Sequence, residues 1–298
     1  MKPEKGDTRL QAWGLMIFLG FIWGSSFILM KKGLHVFPPL EVAMLRMFTA
    51  FLCIVAFSWN TLRKFTGRQL LLVSLSGTLS SFMPAILFCL AGVGLDSAVS
   101  GGLNAMTPFF TVMVSALIFR SPITWRHGFG LSLGLLGCLV LALSRYKGSG
   151  MPEVNFYALY VLLATLFYGM NINLVKHYLS DIEPAKLAVG AFSAIGIPAG
   201  LLLFFSGNFL HTLTTNPEAP YAAGMVIVLG VFGSALSLVL FNRLIQISTT
   251  LFAGSSTYLI PVFAIFWGII DGEHITAIQF AGICTVLAGV MFVTRDKR

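Results

Sequence analysis

The sequence predicts an all-α integral membrane protein of ten transmembrane helices, arranged as two inverted repeats of five. Three observations lead there. Of 298 residues, 57% are hydrophobic and only 10% charged, with a mean hydropathy of +0.88; soluble chains carry roughly 25% charged residues. One or two ordinary soluble domains are thereby excluded. The apolar residues fall into runs long enough to cross a bilayer as helices, which takes about 20 residues. Finally, Gly254-Ser-Ser-Thr-Tyr-Leu-Ile-Pro-Val-Phe263 echoes Gly101-Gly-Leu-Asn-Ala-Met-Thr-Pro-Phe-Phe110 at an offset of 153 residues, sharing its Gly, its Pro and its last Phe.

The segment Met1–Arg9 is short and charged, and Ala12–Met30 follows with no small-residue cleavage site behind it, so it reads as a retained first helix. The later spans are Leu40–Trp59, Gln69–Gly92, Ser97–Phe119, Ile123–Ser144, Val154–Val175, Pro184–Ser206, Tyr221–Ile247, Thr250–Ile270 and Ile275–Thr294. Turns near Asp96 and Ser248 are tight, and merging spans across either would make a helix too long for the bilayer. Proline removes a backbone N–H and clashes with the carbonyl one turn back, so the fourth and ninth spans should bend or open at Pro108 and Pro261. In lipid such an opening is tolerated only where protein, hydroxyls or water satisfy the freed carbonyl. Interrupted helices at matching places in two halves point to a transporter's substrate site. Both prolines are therefore candidate hinges.

With the N-terminus inside, the inner segments hold 14 Lys and Arg, while the outer loops hold only Lys31, Lys32, Arg145 and Lys147. This asymmetry predicts cytoplasmic termini. The net charge of +8 is thus spread through short loops and makes no nucleic-acid face. Cys53, Cys89, Cys138 and Cys284 lie inside apolar runs without CxxC spacing and read as small hydrophobes. At an offset of 145, Trp23-Gly24 falls on Tyr168-Gly169, Leu29 on Leu174, Lys31 on Lys176, Leu34 on Leu179, Pro39 on Pro184 and Ala43 on Ala188. The polar stretch Gly207–Pro220 accommodates the later rise of the offset to 153. Five spans per half is an odd number, so the second half sits upside down. The halves are residues 1–147 and 148–298, divided in the breaker-rich linker Arg145–Pro152.

Phe21-Ile-Trp-Gly-Ser-Ser-Phe27, Leu45-Arg46, the two Pro-centred spans and the closing Gly272-Glu273…Gln279-x-x-Gly282 resemble the drug/metabolite transporter superfamily, EamA-like branch. The resemblance covers nearly the whole chain. It implies a ten-helix transporter that exports amino acids and other small metabolites through a central cavity between the halves. In the first half, Arg120-Ser-Pro-Ile occupies the place that Gly272-Glu273-His-Ile holds in the second.

The candidate substrate-binding residues come from the spans themselves. Trp23 and Ser26 in the first, and Tyr168 and Asn171 in the sixth, each set a ring and a polar group one helical turn apart on one face. Asn104 and Thr107, with Thr257 and Tyr258, lie within a turn of the prolines, and Asn242 stands in the eighth span. Aromatic walls with a few hydrogen-bonding groups suit a small amphipathic solute. Ser and Asn also glue membrane helices together, whereas mid-span Trp and Tyr are out of place unless they line a cavity. Gly130/Gly134 and Gly196/Gly200 read as close helix packing. Arg46 is the one full charge well inside a span, fitting a carboxylate site or outer gate on one reading, and an interfacial or Glu41-paired side chain on the other. Glu41, Lys31 and Lys32, at helix ends, read as solvated.

No HExxH, GxSxG, CxxC or Walker pattern occurs, so enzyme chemistry, cofactor and metal are not expected. The function expected is an inner-membrane exporter of amino acids or related solutes, working as a monomer by alternating access. With no Asp or Glu at depth in a span, uniport or exchange is expected. A lipid-carrier flippase and a non-transporting sensor or structural protein are the alternatives.

Overall fold

The computed structural model describes residues 5–121, 124–143, 145–146, 152–153, 155–205, 207–247 and 255–294. Apart from a two-residue antiparallel ladder, Arg145–Tyr146 against Pro152–Glu153, those residues are helical or in turns. Among the described residues, seven helices are long and apolar enough to cross a membrane, and Ser256–Ile270 and Ala277–Phe292 are shorter apolar helices.

The helices are α1 (Lys5–Leu34), α2 (Pro39–Leu62), α3 (Gly67–Gly77), α4 (Met83–Gly92), α5 (Ser97–Asn104), α6 (Thr107–Phe119), α7 (Trp125–Ala142), α8 (Tyr157–Tyr178) and α9 (Pro184–Phe205). They continue with α10 (Phe209–Thr215), α11 (Ala219–Gly230), α12 (Ser237–Ile247), α13 (Ile260–Ile270) and α14 (Ala277–Thr294). A π-helical segment, Thr78–Phe82, joins α3 to α4, and another, Val231–Leu236, joins α11 to α12. Such widened turns recur at functional sites in helices. The two lie 153 residues apart, the same offset that separates Pro108 from Pro261.

The core is apolar, but so is much of the outside: Phe205 is 84% exposed, Leu117 74% and Leu71 70%. Such a surface suits hydrocarbon, not water. α7 packs along α14 and α2 along α9. In the first pair the backbones nearly touch, because a Cβ at Gly289 would fall 2.5 Å from Gly134 N and 2.7 Å from Gly130 O. In the second, Gly196 and Gly200 receive the rings of Phe51 and Phe48. All four cysteines are free.

The ends of the bundle follow from the turn contacts. Asn155, before α8, donates to the Gly94 carbonyl at 2.8 Å, and its own N–H reaches the Ala142 carbonyl at 2.8 Å. The start of α8 therefore lies beside the ends of α4 and α7. Ser97, at the start of α5, meets Glu273 and so the end of α1 at Lys31. Hence α8 runs away from the Lys31 end, and its last turn, with Lys176, lies at the opposite end.

The stretch 207–220, expected as a polar loop, contains α10. Phe209 anchors it, 5% exposed and ring-packed on Phe37 and Phe204. The single aromatic outweighs the polar residues around it. Gly254 and the turn at Ser248 lie outside the described residues.

Candidate functional site

The fourth span breaks where proline chemistry says it should. α5 ends at Asn104, Ala105 and Met106 form a turn, and Pro108 is the second residue of α6, where its missing N–H leaves no bond unmade. The carbonyl freed at Asn104 is taken by the Thr107 hydroxyl at 2.9 Å. Ser255–Tyr258 forms a 3₁₀ turn before α13, and Pro261 is again the second residue of its helix. Residues of both breaks and of both π segments line one cavity of about 460 Å³.

Trp23, Ser26, Arg46, Asn104, Thr107, Pro108, Tyr168, Asn171 and Thr257 all line this cavity. Trp23 stands edge-on to Phe241 with centroids 5.2 Å apart, and Tyr168 lies tilted on Phe88 at 6.1 Å. Several polar groups already have partners. Ser26 bonds back to the Ile22 carbonyl at 2.9 Å, and Asn171 Oδ1 accepts from Ser76 at 2.7 Å. Asn104 differs: it is 7% exposed, and its Oδ1 is buried with no hydrogen-bond partner.

Arg46 lines the cavity and spans from α2 to the second π segment. Its Nε donates to Ser234 Oγ at 2.8 Å and its Nη2 to the Gly233 carbonyl at 3.3 Å. Of the two readings of Arg46, pairing with Glu41 is not what the structure contains. Glu41 is 7% exposed, not solvated, with Oε1 accepting from the Asn208 N–H at 2.9 Å.

Two expected residues stand elsewhere, and a third is not described. The Tyr258 hydroxyl donates to the Val290 carbonyl at 3.1 Å, and the ring is not part of the cavity wall. Its neighbour Thr257 takes that place, since adjacent residues on a tight helical turn face different ways. Pro261 is buried behind the wall, against α5 at Gly101. The side chain of Asn242 lies outside the described residues.

The wall also holds Ser80, Ser81, Thr111, Ser115, Asn173, Lys176, Ser234 and Ser237, which the sequence reading passed over. One signal was present: Ser81 and Ser234 are 153 residues apart and both mid-span. Among the described lining residues Lys176 alone is exposed, while Met30 and Phe88, toward the other end, are 3% and 5% exposed. The cavity thus opens at the Lys176 end.

A charged knot holds the Lys31 end. Lys31 pairs with Glu273 at 2.8 Å and Asp271 at 3.0 Å, and Lys32 pairs with Asp271. Both Glu273 oxygens accept the Ser97 N–H, at 3.1 and 3.0 Å, which caps α5. Lys31 and Lys32 are therefore paired and not merely solvated. Burial alone would raise the Asp271 carboxyl, but the bonds and charges of Lys32 and Lys31 outweigh it and hold the group below its ordinary range. Gly272 makes this turn at a φ of +84°, and Arg120, its counterpart in the first half, has a φ of +53°. Thr276 and Gln279 then form a capping box on α14, as Thr124 and His127 do on α7.

A family model for EamA-like transporters matches residues 11–143 and again 155–295. The chain belongs to the EamA-like transporter family. Among relatives of this EamA-like chain, a probable amino-acid metabolite efflux pump of Escherichia coli K12 is 26% identical, over 93% of this chain and 92% of its own. YedA, named an uncharacterized inner membrane transporter of the same organism, is 25% identical over 97% and 92%. An S-adenosylmethionine/S-adenosylhomocysteine transporter of Chlamydia trachomatis is 26% identical over 85% and 80%. One solved structure, 17% identical, superposes with a TM-score of 0.62 over 94% of this chain and 95% of its own, a likeness of fold.

Proposed function

We propose that this EamA-like transporter exports small amphipathic metabolites, amino acids foremost, across the inner membrane by alternating access. The observation that carries the reading is the cavity itself: aromatic walls, scattered hydroxyl and amide groups, one end buried behind Met30 and Phe88 and the other open at Lys176. A sensor or structural bundle has no need of such a chamber. The relatives named for amino-acid efflux and for the inner membrane support the solute and the location.

The architecture proposed is ten spans in two inverted repeats, residues 1–147 and 148–298, with both termini cytoplasmic. Its support lies in matched features: π segments and prolines share one offset of 153, and the two turns at Arg120 and Gly272 share left-handed backbone and a following capping box. The Lys31 knot is then the outer closure, and the cavity faces the cytoplasm. The breaks at Pro108 and Pro261 are the hinges. No Asp or Glu lines the cavity among the described residues, which supports uniport or exchange over proton coupling.

Counterflow in liposomes holding purified protein tests the reading, with labelled amino acids, nucleosides and organic cations as the panel. Counterflow of at least one amino acid is expected; none by any member refutes transport of metabolites. Uphill accumulation driven by an imposed pH gradient would refute uniport and exchange.

A further inference from the structure

Resting on the transport reading, we infer that Arg46 is the carboxylate anchor of the cavity and that the solutes carried bear a carboxylate, organic cations being rejected. Arg46 and Lys176 both line the cavity, one half-buried in its interior and one at its mouth. No acidic side chain lines it among the described residues, and none pairs with Arg46. A cation inside low-dielectric surroundings is costly unless a counter-charge offsets it. Here only a serine hydroxyl and one carbonyl meet the guanidinium, through Nε and one N–H of Nη2. Two of its five N–H groups are so used, and a guanidinium matches a carboxylate with paired, parallel donors.

A second unsatisfied group stands in the wall of the same cavity. Asn104, in the broken fourth span, lines the cavity, and its Oδ1 is buried without a partner. A buried acceptor left alone is unfavourable, so a rearrangement of this wall that brings it a donor is favoured. The polar group of an amphipath therefore meets a fixed cation in this cavity, while Trp23, Tyr168 and Phe241 offer its apolar part aromatic walls. Arg46 also lies at the second π segment, bonded to Gly233 and Ser234, so an arriving carboxylate competes directly with that segment for the guanidinium.

The test uses two isosteric acid and amide pairs on the purified full-length chain: phenylalanine with phenylalaninamide, and N-acetylphenylalanine with N-acetylphenylalaninamide. Binding is read by intrinsic fluorescence and transport by uptake of the tritiated compounds into proteoliposomes. The two carboxylates are expected to bind roughly tenfold to a hundredfold tighter than their amides. Arg46→Gln should erase that preference without weakening the amides, and Arg46→Lys should restore part of it. Because the wild-type comparison needs no variant, a misfolded Arg46→Gln does not blunt the test. Amides bound and carried as well as carboxylates would overturn the anchor while leaving the transporter reading intact. Failure of all four to bind or cross, with cationic or neutral solutes crossing instead, would do the same. Translocation of a phosphate-headed lipid alone would overturn both readings in favour of a flippase.

Discussion

Replacing Glu273 by glutamine keeps the shape of the side chain and removes its charge. The carboxylate is 4% exposed, and it accepts from Lys31 at 2.8 Å and from the Ser97 N–H at 3.1 and 3.0 Å. Glutamine can still serve Ser97 through one oxygen, but not Lys31 as a charge. Breaking a buried ion pair costs about 3–5 kcal/mol, and a single charge-assisted bond about 1.5–3 kcal/mol. Lys31 keeps Asp271 at 3.0 Å and is itself 28% exposed, so the loss falls near the lower figure, about 2 kcal/mol. If the knot forms only while the cavity opens at Lys176, that loss multiplies the opposite state by roughly thirty, at about 1.4 kcal/mol per tenfold. The assay is the labelling rate of Met30→Cys, at the closed end, by an impermeant thiol reagent from the Lys31 side, in a background free of native thiols. Glu183→Gln is the control, because its pair with Lys186 is exposed at 57% and 46% and contributes little. An unchanged rate in folded Glu273→Gln, or an equal rise in the control, refutes the closure.

Gly272→Ala should cost about 1–2 kcal/mol, from left-handed strain alone, since a Cβ there meets nothing within 4 Å; detergent-based unfolding measures it, and a neutral result shows the turn can relax. Pro108→Ala gives the Asn104 carbonyl an N–H to compete with Thr107, so it should favour a straight helix and slow turnover severalfold; wild-type turnover would make the break a packing feature only. The stability Asp271 lends should be complete above its ordinary pKa of 3.8 and drain away as pH falls below that, through its depressed folded value. Asp271→Asn should therefore flatten the acid limb of a stability profile, and an unaltered limb would count against the knot. In intact cells, an impermeant reagent should label Ser149→Cys and spare an N-terminal probe; the reverse would invert the proposed orientation.

Much of the site was legible because it depends on residue types that are conspicuous in a membrane span. A mid-span Trp, a lone Arg and a Pro after Thr each contradict lipid, and each turned up at the cavity or its breaks. The π segments were not legible, since one extra residue in a helical turn leaves no mark in composition. Nor was the fate of the helix-end charges. Lys31, Lys32, Asp271 and Glu273 sit about 240 residues apart in the chain, and only tertiary packing brings their ends together. Glu41 failed for a similar reason: its cover, α10, comes from a stretch whose polarity hid the one phenylalanine that folds it back. The closing motif was recognised by resemblance, and the structure supplies its physics: a left-handed turn at Gly272, a cap from Glu273 and a capping box from Gln279.

The glycine-lined contact between α7 and α14 has a mechanical consequence. With a Cβ at Gly137 only 2.6 Å from Val286 N, and one at Gly289 2.5 Å from Gly134 N, neither helix has room to slide or roll on the other. α7 comes from one proposed half and α14 from the other, so the two halves share a rigid spine. Any motion that exchanges access must leave this spine intact and be absorbed by the helices around it. Spin labels at Leu135 and Phe280, both more than half exposed on the outer faces of the pair, should keep one fixed separation through the whole working cycle while the cavity walls change theirs. The same spine gives separately expressed halves a seam along which to find each other.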